Sequence, residues 1–333
     1  AGEEMRARLE VAGKQAQWEQ ISAAANDRYE YGVRFGAPEA LERAVTLYRD
    51  RALPMYPKLS QEWAVTQNNL GNVHGVQGDR TSGKMGLALL SKSEEAYEAA
   101  LLVHTETASP DQWAAIQNNL GNVFGVQAQR ASGEVVEVLL ARSVKAFEAA
   151  LRVRTEAGSP DEWAETQNNL AIALKDQGKR KDGALGLALF VRAEEVLEAA
   201  LRVRTEATSP VKWAQTQNNL GNVLMFQAAR LDGEAGLVLL VRAEEALEAT
   251  LRVYTKATSP YSWAGIQNNL GNVLKKQGER TGGKAGLALL ARAVEAYDAA
   301  LWVYSGSGAT RNAETVQQNL ERVTTLIQQR SAP

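Results

Sequence analysis

An all-α solenoid of stacked helix-turn-helix repeats is the fold class predicted by this chain of 333 residues, and three observations predict it. The segment QNNLGNV stands at 67–73 and returns letter for letter at 117–123, 217–223 and 267–273, a period of fifty. Self-similarity at such a period marks supersecondary units that bury their apolar faces on one another. Within each unit the apolar residues fall at helical spacing, and no segment alternates with period two, so no strand is expected.

Each unit reads as two helices. Ser109 stands as an N-cap with Pro110 at the first helical position, where its missing N–H costs nothing. A first helix then covers roughly 110–127, with Trp113, Gln117, Leu120 and Phe124 on one face. QRASGE ends it, with Gly133 in the turn. A second helix covers roughly 134–156, its apolar face carrying Leu140, Phe147, Ala150 and Leu151. Glu148–Arg152, Glu198–Arg202 and Glu248–Arg252 have i,i+4 spacing and read as solvated pairs on the outer face. Trp63, Trp113, Trp163, Trp213 and Trp263 are in register, as are Gln77 and Arg80 with their equivalents. An arginine just past the first helix suits its negative end. It is expected to meet that helix's carbonyls or a carboxylate on the second helix.

The boundaries that follow are capping helices over 1–58, five repeats at 59–108, 109–158, 159–208, 209–258 and 259–308, and a capping helix over 309–333. A worn sixth copy opens with QQNL at 317. The atypical ends would cover the outermost apolar faces of one continuous array. Residues 3–34, 38–53 and 311–330 read as the helices of those ends.

Composition narrows the chemistry. The net charge of −2 gives no nucleic-acid footprint, and the absence of cysteine removes disulfides, thiolate metal sites and a cysteine nucleophile. No apolar run is long enough for a bilayer, and the start lacks a secretory pattern, so a cytoplasmic protein without membrane contact is expected. With two histidines, His74 and His104, no repeated metal site can be built, and His74 takes a core slot held elsewhere by Phe124, Leu174, Leu224 and Leu274. GDRTSGKM (78–85) approaches a phosphate loop, but Met85 replaces the metal-binding hydroxyl and the segment joins two helices. No catalytic residue, metal or cofactor is expected, and the chain reads as no enzyme.

NNLGNVHGVQGDR (68–80), followed by SKSEEAYEAALLV (91–103), resembles the tetratricopeptide repeat. Leu70–Gly71 match its first-helix pair, and Ser93, Tyr97 and Ala100 its small, aromatic and small residues on the second helix. The usual unit has about 34 residues, so these resemble long-turn variants in bacterial multidomain proteins that carry WAxxQNNLGN. The NNL core is similar to kinesin light chain repeats, which bind peptides. The resemblance implies a right-handed superhelix that binds a protein or peptide in a concave groove. Gly71, Gly121, Gly221 and Gly271, with Ala171 in repeat three, are expected where the two helices come closest.

Two asparagine positions on the groove-facing stripe are nearly constant: Asn68, Asn118, Asn168, Asn218 and Asn268, and Asn72, Asn122, Asn222 and Asn272. Their neighbours vary, as in Val76, Val126, Asp176, Phe226 and Lys276. An amide donates and accepts at once, so it can hold peptide backbone of any sequence while the variable positions select side chains. The resemblance assigns these asparagines to clamping a bound main chain. Asn69, Asn119, Asn219 and Asn269 share that role or brace the adjacent repeat. The competing reading makes all of them mortar, since whatever joins repeats also recurs with the period. Gln67, on the buried line, is expected to bond a neighbouring backbone group. Repeat three, with Ile172, Lys175 and Asp176, is either drift or a distinct apolar and charged pocket. Lys175, Phe226 and Lys276 join the candidate groove set, and the lysines toward the end suit a ligand with a negative C-terminal half. The alternative function is a spacer or scaffold that self-associates through its ends. Trp302 and Tyr304 are candidates for such a contact unless the last helix covers them.

Overall fold

The computed structural model describes residues 2–331, and every regular element among them is helical. Helix α1 (Gly2–Phe35) and α2 (Pro38–Thr46) precede the first repeat. Five helix pairs follow: α3 (Gln61–Arg80) with α4 (Gly83–Leu101), α5 (Pro110–Arg130) with α6 (Val135–Leu151), α7 (Pro160–Gly178) with α8 (Gly183–Val203), α9 (Pro210–Ala228) with α10 (Gly233–Leu251), and α11 (Pro260–Arg280) with α12 (Gly283–Gly306). Helix α13 (Thr310–Ser331) closes the chain. Partners within a pair pack on each other, and α4 packs on α5, α8 on α9, α10 on α11 and α12 on α13. That nearest-neighbour packing is an all-α solenoid. The helices group into two compact units, Ala1–Thr155 and Glu156–Pro333, each described by itself.

Helices start and stop where the sequence punctuates them, with local departures. The second helix of repeat two ends at Leu151, several residues before the expected 156. The helix expected over 38–53 ends at Thr46 and passes into a π turn, Leu47–Ala52. Ser109 holds the N-cap position without using its hydroxyl: its carbonyl accepts Trp113 N–H at 2.9 Å, and its own N–H bonds Thr105 O at 3.0 Å. In repeat one, Ser60 Oγ does accept Trp63 N–H, at 3.2 Å. Gly133 has φ +66°, the left-handed conformation that its turn requires.

The close approach within pairs is as the glycines predicted. A Cβ on Gly71 would lie 2.6 Å from the Tyr97 ring, and one on Gly121 would lie 2.6 Å from Phe147. Repeat three places Ala171 there, fully buried, with the smaller Leu197 on its second helix.

Arginines stitch one repeat to the one before it. Arg130 Nη1 donates to Gly78 O at 2.6 Å and Thr81 O at 2.8 Å, and Nη2 to Asp79 O at 2.5 Å, all at the C-terminal end of α3. These carbonyls lie at the helix end, where intrahelical partners run short and the dipole is negative, although Gly78 O also accepts Thr81 N–H at 3.3 Å. Arg330 repeats the pattern on Gly278, Glu279 and Thr281, and Arg80 does so on Gly32 and Val33 of α1. The segment that resembled a phosphate loop therefore aims carbonyls at a cation, the opposite of an anion nest.

The outer pairs differ from the helical spacing. Arg202 forks onto Glu156 at 3.1 and 2.7 Å and Arg252 onto Glu206, while Glu198 pairs with Arg242 on the following second helix. The charges thus link elements rather than turns of one helix. Gln67 lines a surface groove with Leu70 and His74 in place of the expected backbone bond. Tyr304 is buried edge-to-face on Tyr261, but Trp302 is 66% exposed, so α13 covers only one of the two.

Candidate functional site

The asparagines divide by what their amide oxygens already hold. In the second unit Asn219 Nδ2 donates to Asn168 Oδ1 at 2.9 Å, Asn269 to Asn218 at 3.0 Å and Asn319 to Asn268 at 3.2 Å. In the first unit Asn119 Nδ2 reaches Asn72 Oδ1 at 3.0 Å. Residues at the Asn69 position thus brace first helices of successive repeats. Asn118 and Asn168 are buried. Asn68 and Asn69 are half-buried, and Asn68 Oδ1 has no partner.

At the Asn72 position the second helix decides the geometry. Tyr97 Oη donates to Asn72 Oδ1 at 2.7 Å, and Tyr297 Oη to Asn272 Oδ1 at 2.8 Å. Burial pushes both phenols up, so they remain donors at any ordinary pH. With the oxygen pinned, the amide NH2 group is the end left for another acceptor. Asn122 is exposed, and its repeat has Phe147, which has no hydroxyl, at the position of Tyr97. Asn222 instead turns back on Asn218 O at 3.0 Å.

Asn72 and Asn122 border one groove in the first unit, with a volume of about 330 Å³. Its floor and walls are Val33, Val76, Leu90, Tyr97, Val123 and Val126, and Asp79 stands at its rim. Two stripe positions that the sequence marked as variable, Val76 and Val126, are therefore groove walls. Tyr29 and Val33 come from α1, a contribution the sequence did not suggest because α1 lies outside the repeat period.

The other candidates sit in the second unit. Phe226 stacks on Phe190 at 6.0 Å, with Lys179 Nζ 4.6 Å from its ring centroid. Lys175 is largely buried beside Asp176, at 3.7 Å, and burial holds its amine below the usual lysine range. Lys276 is half-buried. Lys212 is paired with Asp161 at 2.6 Å. The described residues contain no cluster able to hold a metal, and none of their helices is long and apolar enough to cross a membrane.

No protein-family model matches the chain, and no curated protein does. Solved structures overlap it loosely. The S. pombe nuclear import adaptor Nro1 aligns at 12% identity over 91% of this chain and 99% of that one, with a TM-score of 0.47. The TPR2AB domain of yeast Sti1 in its pHSP90 complex aligns at 12% identity over the same shares, with a TM-score of 0.30. At these scores neither overlap carries a role across, and the fold rests on the packing of the helices themselves.

Proposed function

We propose that the chain is a tetratricopeptide-like protein-interaction module without catalytic activity, and that it holds an extended segment of a partner along its first-helix face. One observation carries this reading: an apolar groove bordered by Asn72 and Asn122, whose amide NH2 groups have no acceptor among the described residues. A peptide backbone offers such carbonyl acceptors at every residue, so two donors hold it without reading its sequence. The remaining asparagines divide between this duty and bracing. Asn272 belongs with the first group, and Asn119, Asn219 and Asn269 with the second. Asn118, Asn168, Asn218 and Asn268 support the floor as acceptors or buried amides, whereas Asn68 only donates, to Asn69 Oδ1 at 3.5 Å.

The test is panning of a random peptide library against the wild type and an Asn72→Asp/Asn122→Ala variant. Aspartate keeps the oxygen that Tyr97 and Asn119 use but loses the NH2 group. Two lost hydrogen bonds, at about 0.5–1.5 kcal/mol each, should weaken selected peptides roughly 5- to 150-fold. Equal binding by both proteins would reject the groove as the site. A second reading, self-association, draws on the exposed Trp302. It requires a concentration-dependent mass that Trp302→Ser abolishes.

A further inference from the structure

The missing side chain of Gly75 helps keep the groove open. Position 75 and its equivalents are Gly75, Gly125, Lys175, Met225 and Lys275. A Cβ on Gly75 would meet Ser93 Oγ at 3.2 Å and Val123 at 4.0 Å, so a side chain there would point between the pair and the next first helix. In the second unit that space is filled by the chain itself. Met225 is 7% exposed, and the Lys175 and Lys275 side chains are 16% and 19% exposed. The second helix changes in step: Ser93 and Ser143 go with the two glycines, whereas Ala193, Ala243 and Ala293 go with the long side chains. Ser93 Oγ bonds Gly71 O at 2.7 Å and Ser143 Oγ bonds Gly121 O at 2.7 Å, so the serine takes room that the alanine gives up.

We propose that the space beside Gly75 is a specificity subsite for one unbranched or γ-branched apolar side chain, methionine or leucine, of a bound extended peptide. The chain's own repeats show what the space takes, since the methionine of repeat four and the aliphatic stems of two lysines occupy its counterparts. The walls are valines, Leu90 and the ring of Tyr97, which Asn72 pins in place. Arg80, which also lines the groove, has guanidinium N–H groups committed to the carbonyls of Gly32 and Val33, at 2.7 and 2.8 Å, and so has fewer donors left for an acidic side chain. Asp79 at the rim further disfavours one. This subsite rests on the groove reading, because Asn72 and Asn122 must hold the main chain that delivers the side chain. A thioether adapts to an irregular hole more readily than a β-branched side chain.

The test uses acetylated hexapeptide pools with one central residue fixed and the others randomised, retained on the immobilised full chain. Methionine and leucine pools should be retained about tenfold or more above glycine and aspartate pools, as expected for burying one such side chain. Gly75→Met with Ser93→Ala transplants the repeat-four solution and fills the hole, and should erase that preference while retaining residual binding. Val76→Lys, the residue of repeat five at its equivalent position, charges the wall and gives the same result by a separate route. Retention without central preference, lost only on Asn72→Asp/Asn122→Ala, overturns the subsite and leaves the groove reading standing. Retention of no pool overturns both. A preference that survives in both filled and charged variants also overturns the subsite.

Discussion

Replacing Arg130 with alanine should cost far more than replacing any outer-face arginine. Arg130 gives three charge-assisted bonds to the last carbonyls of α3, at 2.5 to 2.8 Å, and its side chain is 22% exposed. Two of the bonds are partly buried, and a hydrogen bond to a charged group is worth about 1.5–3 kcal/mol net. The third, to Asp79 O, faces water and adds little. Placing a cation at the negative helix end contributes about 0.3–1 kcal/mol more. Because one guanidinium serves all three carbonyls, the contributions do not simply add. The expected loss is therefore roughly 2–4 kcal/mol, read as a lower urea midpoint at similar slope. Arg130→Lys keeps the charge but not the fork, and should recover less than half of the loss. Arg152→Ala is the contrast: its fork on Glu106 is equally short, at 2.8 Å, but the two side chains are 55% and 42% exposed. Such a pair is worth about 0–1 kcal/mol and weakens with salt. Equal midpoint shifts for Arg130→Ala and Arg152→Ala would refute the reasoning.

Two further outcomes follow from the packing. Gly121→Ala gains roughly 1 kcal/mol of helix propensity but drives a methyl into the Phe147 ring, an overpacking that costs about 1–3 kcal/mol. The variant should be neutral to about 2 kcal/mol less stable, and Phe147→Leu, the pairing of repeat three, should reduce its penalty in a double-mutant cycle of urea midpoints. His104 is 3% exposed with Nδ1 unpartnered, and burial holds its pKa below the ordinary imidazole value. The unfolded chain then binds the proton first, so stability is present above about pH 6.5 and falls as pH drops through that value toward the lowered folded pKa. His74, lowered mainly by burial, acts in the same direction. His104→Tyr, following Tyr304 of repeat five, should flatten the difference between urea midpoints at pH 7.5 and pH 5.5; an unchanged difference would count against the buried imidazole.

Much of the fold was legible because periodicity reports contact. The small residue at 71 and its equivalents, glycine or alanine, the proline starts and the turn glycines each name a local geometry that few residue types satisfy. The direction of contact was harder to read. Arg80 and its equivalents were expected to meet helix carbonyls, but nothing in a perfect repeat distinguishes a helix's own carbonyls from those of its predecessor. Bracing by Asn119, Asn219 and Asn269 was one of two roles expected of them, but the sequence left open which neighbour they reach. The worn sixth copy held the clue: it lost Trp63, Gly71 and Asn72 but kept Asn319 and Arg330, the two residues that reach backward. Ser109 looked like a side-chain cap because its neighbour is proline, yet its hydroxyl accepts no first-turn N–H, and its own N–H closes a turn onto Thr105 O. The groove itself was half legible, through Val76 and Val126. Its third wall, from α1, lies outside the period and left no mark in the repeat pattern.

The most direct measurement is a spectrum of the asparagine side-chain amides during titration with peptides selected by the wild type. The NH2 resonances of Asn72 and Asn122 are expected to move, while those of Asn219 and Asn269, already spent on neighbouring repeats, stay in place. Movement of Asn219 and Asn269 with Asn72 and Asn122 unchanged would contradict the division of labour between clamp and brace.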